Sequence, residues 1–171
     1  MNLIPEPELQ QWSAGHLWQA GRVLGAQWCR QGDAEGVRFA CWAPHARQLS
    51  VVGDFNDWDA ARHPLRRRDP HGVWEGFVAG LPEHSLYKFS IESAAGRVLK
   101  SDPFARECEL RPNTAARVAP PAQHPWADAA WLRERAQRQW HRAPLSIYEM
   151  HLGSWRRQPD GGFINYRELA L

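Results

Sequence analysis

Short apolar runs with a period of two, cut apart by turn residues, dominate the middle of this chain. Such a run must bury one face and leave the other to water or to a second layer. In Val37–Ala43 the residues Val37, Phe39, Cys41 and Ala43 alternate with Arg38, Ala40 and Trp42, and Pro44 ends the run. Leu49–Val52 follows, then Val73–Val78 after the turn Asp69-Pro70-His71-Gly72, then Leu86–Glu92 after Gly80-Leu81-Pro82-Glu83. In Leu86–Glu92, Tyr87, Phe89 and Ile91 share one face and Lys88 and Ser90 the other. Ala94-Ala95-Gly96 then turns the chain into Arg97–Lys100. Strands this frequent, with no helical period between them, predict a mainly β chain whose centre is an antiparallel β-sandwich over residues 30–118.

The flanks differ. Residues 1–29 carry Leu9, Trp12, His16 and Leu17 at helical spacing from Pro5 to about Ala20, which predicts an N-terminal helical segment. Residues 119–143 open on the proline-rich linker Ala119–Pro125, whose prolines favour extended backbone, and continue into a helix over Ala127–Trp140. Residues 144–171 read as an apolar strand, Leu145–Met150, then the turn Asp160-Gly161-Gly162 and a helix start at Tyr166–Leu171.

Several function classes fall away. No apolar run approaches the roughly 18 residues of a membrane span, and MNLIPEPELQ lacks the basic and apolar regions of a secretion signal, so a cytoplasmic protein is expected. Three cysteines without a CxxC pair, and eight histidines without ligand spacing, indicate neither a disulfide framework nor a metal site. No cofactor motif is present. The stretch HPLRRR, with Arg133, Arg135, Arg138 and Arg142 near Trp131 and Trp140, raises nucleic acid as a partner. A net charge of only +2 and the lack of a recognition motif favour a solvated charged surface instead.

The stretch GDFNDW at 53–58 is the most informative for binding. Tryptophan is over-used here, ten against six Phe and three Tyr. Trp58 at the end of a polar turn offers an indole face beside Asn56, and a pyranose ring offers an apolar C–H face ringed by hydroxyls. Trp58 either stacks on a sugar or folds back as a lid on the sandwich edge. Lys88 either donates to a sugar hydroxyl or keeps its sheet face soluble. Asp54, Asp57 and Asp59 read as turn-capping acids rather than a catalytic pair.

The strings GVRFACWAPHARQLSVVGDFNDWD (36–59), HPLR, GVWEGFV, LYKFSI, KSDPFA (100–105) and RPNTA (111–115) resemble the glycan-binding, immunoglobulin-like sandwich of carbohydrate-binding module family 48. It is found at the N-terminal side of bacterial 1,4-α-glucan branching enzymes. PLSIYEMHLGSWRR (144–157) and NYRELA (165–170) are similar to the first strand and helix start of the catalytic (β/α)₈ barrel of those glycoside hydrolase family 13 enzymes. The resemblance implies that α-glucan or glycogen is the partner, with the remaining barrel of the same protein a second one. It also implies glucan contacts at Trp58, Asn56 and Lys88, and active-site lining by Tyr148 and His151. Branching enzymes cleave α-1,4-glucan and transfer the chain to a 6-hydroxyl. Their catalytic carboxylates sit on later barrel strands, so none is expected among these residues and the chain alone should be inactive. A stand-alone glucan-binding or protein-interaction module is the competing expectation. Where relatives place a second sugar-clamping tryptophan, this sequence has Val98 and Leu99. Oligomeric state is left open.

Overall fold

The computed structural model describes residues 2–121 and 125–170, without the side chain of Trp140. It divides into two units, 1–123 and 124–171.

Among its described residues the first unit holds nine strands: β1 Gly25–Gln31, β2 Ala34–Trp42, β3 Gln48–Gly53, β4 Arg66–Arg68, β5 Val73–Ala79, β6 Leu86–Ser93, β7 Gly96–Lys100, β8 Glu107–Cys108 and β9 Ala116–Arg117. One antiparallel sheet runs β1-β2-β5-β4; the other runs β3-β6-β9-β8, with β7 also on β6. The alternation read from the sequence sets the inner faces. Val37, Phe39 and Cys41 of β2, Trp74 and Val78 of β5, Leu49 and Val51 of β3, and Tyr87 and Phe89 of β6 form a single buried core. An aromatic edge joins the two sheets, Phe39 of β2 against Tyr87 of β6 at 5.0 Å between centroids, and Tyr87 meets Phe89 of its own strand at 6.0 Å. Two indoles satisfy their N–H groups on backbone, the half-buried Trp28 on Ala119 O (2.8 Å) and the buried Trp74 on Ala43 O (2.9 Å).

Two expectations change at the N-terminal side. β1 lies inside the segment read as helical and pairs along its whole length with β2. The N-terminal helix is only α1, Glu6–Ser13, and the chain then leaves helical geometry at Gly15, whose φ is +73°. Residues 3–9 cover the outer face of the first sheet, where Ile4, Leu9, Val23 and Leu24 pack with Ala40 and Val73 in a second core.

Charge fixes that cover. Glu75, on β5, is 2% exposed and accepts from the Leu3 and Ile4 amides (3.2 and 2.8 Å) and from Arg66 and Arg68 (2.9 Å each). Burial is the largest single influence and pushes its carboxyl up. The bonds from Arg68, Leu3, Arg66 and Ile4 together outweigh burial and hold it below the usual glutamate value. Arg68 also donates to Ile4 O and Glu6, and His71 bonds Glu6 and Ser13. The basic stretch is therefore not a plain solvated surface: Arg68 is 6% exposed and forms an internal brace.

The second unit departs further from expectation. Its first helix, α2, spans Ala129–Gln137, shorter than the 127–140 read from the sequence. Arg135 lies over the Trp131 ring at 4.9 Å, a contact that occupies this cation within the helix. Residues 144–150 form no strand, because no described strand stands beside them to pair with their N–H and C=O groups. Leu145, Ile147 and Tyr148 are exposed there. Two single-turn helices follow, α3 Leu152–Trp155 and α4 Tyr166–Leu169. In α4, the side chain of Asn165 accepts from the Arg167 and Glu168 amides while Glu168 accepts from the Asn165 amide, a reciprocal cap. The linker reading Ala119–Pro125 falls partly on 122–124, outside the described residues. No described helix is long and apolar enough to cross a membrane.

Candidate functional site

At the end of β3 the chain makes one 3-10 turn, Asp54–Asn56, and then holds Asp57 and Trp58 in the left-handed region, at φ 56° and 59°. Aspartate tolerates that conformation, whereas a bulky tryptophan rarely adopts it. Something must hold Trp58 there. Its N–H donates to Gly53 O (2.9 Å), and the Asp59 N–H to Asn56 O (3.0 Å). Arg62 braces the turn from outside, 2.9 Å from Asp57 and 3.7 Å from Asp59, while Asp54 accepts from the Leu86 amide (3.2 Å). The three aspartates thus fasten the turn, as their composition suggested. Gly53 is obligatory by close approach: a Cβ there would collide with the Leu86 carbonyl and the Phe55 ring.

Asn56 is corrected from ligand to scaffold. It is 1% exposed, its Oδ1 accepts from the Gly53 amide (2.9 Å), and its Nδ2 donates to Val51 O (3.0 Å) and His63 Nδ1 (2.8 Å). An amide nitrogen only donates, so His63 Nδ1 must be unprotonated. Burial, with help from Arg62, lowers the His63 pKa in the same direction. Nothing of Asn56 is left for a sugar, and sequence reasoning had no signal for this because a polar turn residue looks alike inside and out.

Trp58, by contrast, is 40% exposed. The turn that presents it closes on Gly53, whose register partner is Tyr87, the neighbour of Lys88. Lys88 lies on the outer face of β6, half-buried, with Nζ 2.8 Å from Thr114 Oγ1. The 111–114 loop is tied down as well by Ser101, whose hydroxyl donates to Thr114 O. Of the two residues in the place of the second tryptophan, Leu99 is the one on this face, since it registers against Ser90 while Val98 registers against inward Ile91. Leu99 is exposed. Thr114 and Leu99 therefore join Lys88 on one sheet face, at the end where the Trp58 turn leaves β3, and Thr114 was missed because its position depends on a loop rather than on strand period.

Tyr148 and His151 belong to the second unit. Tyr148 packs edge-on against Trp155 at 5.5 Å, and His151 precedes α3 with Nδ1 3.0 Å from Ser154 Oγ. Both are exposed. Among the described residues, no group of three or more His, Cys, Asp or Glu side chains is placed to hold a metal ion.

Comparison with known proteins bears on the same regions. Residues 23–105 match the family described as Carbohydrate-binding module 48 (Isoamylase N-terminal domain). The chain is 48% identical over 170 residues to the 1,4-alpha-glucan branching enzyme GlgB of Methylobacillus flagellatus, and 50% identical over 169 residues to that of Pseudomonas aeruginosa. Each alignment covers 98% of this chain and 23% of the relative, so the chain spans about a quarter of their length. In fold, it is similar to a maltotriose complex of PulA from Klebsiella pneumoniae, at a TM-score of 0.50 and 21% identity over 66% of this chain and 12% of that one.

Proposed function

We propose, from the match of residues 23–105 to the carbohydrate-binding module 48 family, that the sandwich holds an α-glucan on the outer face of its second sheet. Trp58 supplies the stacking surface, Lys88 and Thr114 the polar contacts, and Leu99 an apolar rest for a ring; Asn56 acts by holding the turn. The observation that carries this reading is the half-exposed Trp58, in a left-handed conformation within a turn braced by five contacts at the Lys88 end of the sheet. A backbone held where tryptophan rarely goes points to a use for the side chain.

One stacking contact is worth about 1 kcal/mol, small against the several kcal/mol that immobilising a ligand costs. The site is accordingly weak, and its use lies in raising the local glucan concentration for a catalytic centre joined to it. That centre is the reaction of the relatives named above: cleavage of α-1,4-glucan and transfer of the chain to a 6-hydroxyl, giving α-1,6 branches in cytoplasmic glycogen synthesis. Residues 144–170 supply the entry to the barrel, with Leu145–Met150 becoming a strand once neighbours pair with it. Tyr148 and His151 then line its active site.

Affinity electrophoresis in glycogen-containing gels tests the sugar site. The wild-type chain should be retarded and Trp58→Ala should migrate as in a glycogen-free gel. Equal retardation of the two would remove Trp58 from the site.

A further inference from the structure

Beside the Trp58 turn, the outer face of the second sheet dips into a depression of about 220 Å³, lined by Gln48, Ser50, Asp59, Ser90, Glu92 and Arg97 with the backbone turn at 60–61. Its floor is unusual. Ser50 and Ser90 stand directly opposite each other on β3 and β6, and both point outward because their neighbours Leu49, Val51 and Phe89 are in the core. The residues are 7% and 5% exposed, and their hydroxyls open onto the depression rather than being buried without a partner. A hydroxyl that faces water can exchange its bonds to solvent for bonds to a sugar. Two facing each other across the floor of an open depression form a cradle for a ligand that both donates and accepts.

The walls define its chemistry. The next row across the strands is Gln48, Glu92 and Arg97, with Arg97 bonded to Glu92 at 2.7 Å. Two carboxylates, Asp59 and Glu92, face one guanidinium, which disfavours an anion and suits a neutral polyol. Leu99, in register with Ser90, adds an exposed apolar side. The volume is below the roughly 300–1,000 Å³ of pockets for drug-sized ligands and fits a single ring.

We infer that this depression is a second sugar subsite, taking one pyranose unit of a glucan whose neighbouring unit rests on Trp58. The inference rests on the glucan-binding reading of this face. Ser50 and Ser90 bond vicinal hydroxyls of that unit, and Glu92 and Arg97 select its remaining ones.

Titration of the full chain with maltoheptaose tests this. Removing both hydroxyls in Ser50→Ala/Ser90→Ala should weaken binding about fivefold or more, as the loss of two hydrogen bonds implies. Arg97→Ala, an exposed rim change, should weaken it about threefold. Thermal unfolding should be unchanged in the serine variant, because both hydroxyls face water in the free chain; a structural role would lower it. Wild-type affinity in both variants, with binding lost in Trp58→Ala, overturns the subsite and leaves the Trp58 platform standing. Weakening in the serine variant with Trp58→Ala unaffected removes the platform and keeps the subsite. No maltoheptaose binding by the wild type overturns both.

Discussion

Replacing Glu75 by glutamine should loosen the first sixth of the sandwich unit. The carboxylate accepts four hydrogen bonds, three at Oε1 from Leu3, Arg66 and Arg68 and one at Oε2 from Ile4. A glutamine can keep its oxygen toward the arginines only by turning its NH₂ against the Ile4 amide, donor against donor at a 2.8 Å site. Breaking one partner of a buried pair costs about 3–5 kcal/mol. Arg68 keeps Glu6 and Ile4 O, so the lower end applies, about 3 kcal/mol. For a unit of this size that is a fall in Tm of about 10 °C. Thermal unfolding followed by circular dichroism gives the fall, and hydrogen exchange at Leu3 and Ile4 shows where protection is lost. A Tm within about 2 °C of wild type, with both amides still protected, would refute the view that charge rather than apolar packing pins the N-terminal segment. Replacing Glu75 and Arg68 together by leucine should recover part of the loss, because the buried charge is then removed along with its partner.

Three further outcomes are expected. Glu6 is held below the usual glutamate value, chiefly by its bond to His71, as Glu75 is by its own partners. Groups with lowered folded values stabilise above the unfolded glutamate pKa of about 4.3 and lose that contribution as pH falls through the folded value. Wild-type Tm should therefore drop steeply below about pH 4 and more gently in Glu75→Gln, and parallel slopes would argue against the assignment. Gly53→Ala should both destabilise the unit and shift the fluorescence of Trp58, because a Cβ cannot coexist with the Leu86 carbonyl; a fold and spectrum like wild type would show that the approach is not tight. Burial, helped by Asp102, pushes the Cys41 thiol up to about 12, while Cys108 is exposed. A thiol reagent on the native chain should consume Cys108 and spare Cys41, and Cys41 labelling at the same rate would contradict its burial.

The strands that carry the core were legible because Val37–Ala43 and Leu86–Glu92 alternate cleanly, and a half-buried strand has no other way to write its sequence. β1 was not, since Gly25–Gln31 interleaves one Trp and one Ala with Gln and Arg and so shows no period. β4 is three arginines whose strand state comes entirely from pairing with β5. At the candidate site, Trp58 and Lys88 could be picked out as an exposed aromatic and an outward cation. The fate of Asn56 could not, because burial of a turn residue depends on His63 and Val51 folding over it. Leu145–Met150 shows the converse: its apolar pattern is that of a strand, but pairing needs partners that the described residues do not provide.

Backbone amide shifts of the wild-type chain during titration with maltoheptaose test the central claim most directly. Perturbations confined to residues 53–59, 88–92, 97–101 and 111–114 are expected, with the indole N–H of Trp58 among the largest. Perturbations centred instead on the first sheet, or none at millimolar glucan, would contradict a sugar-binding face on the second sheet.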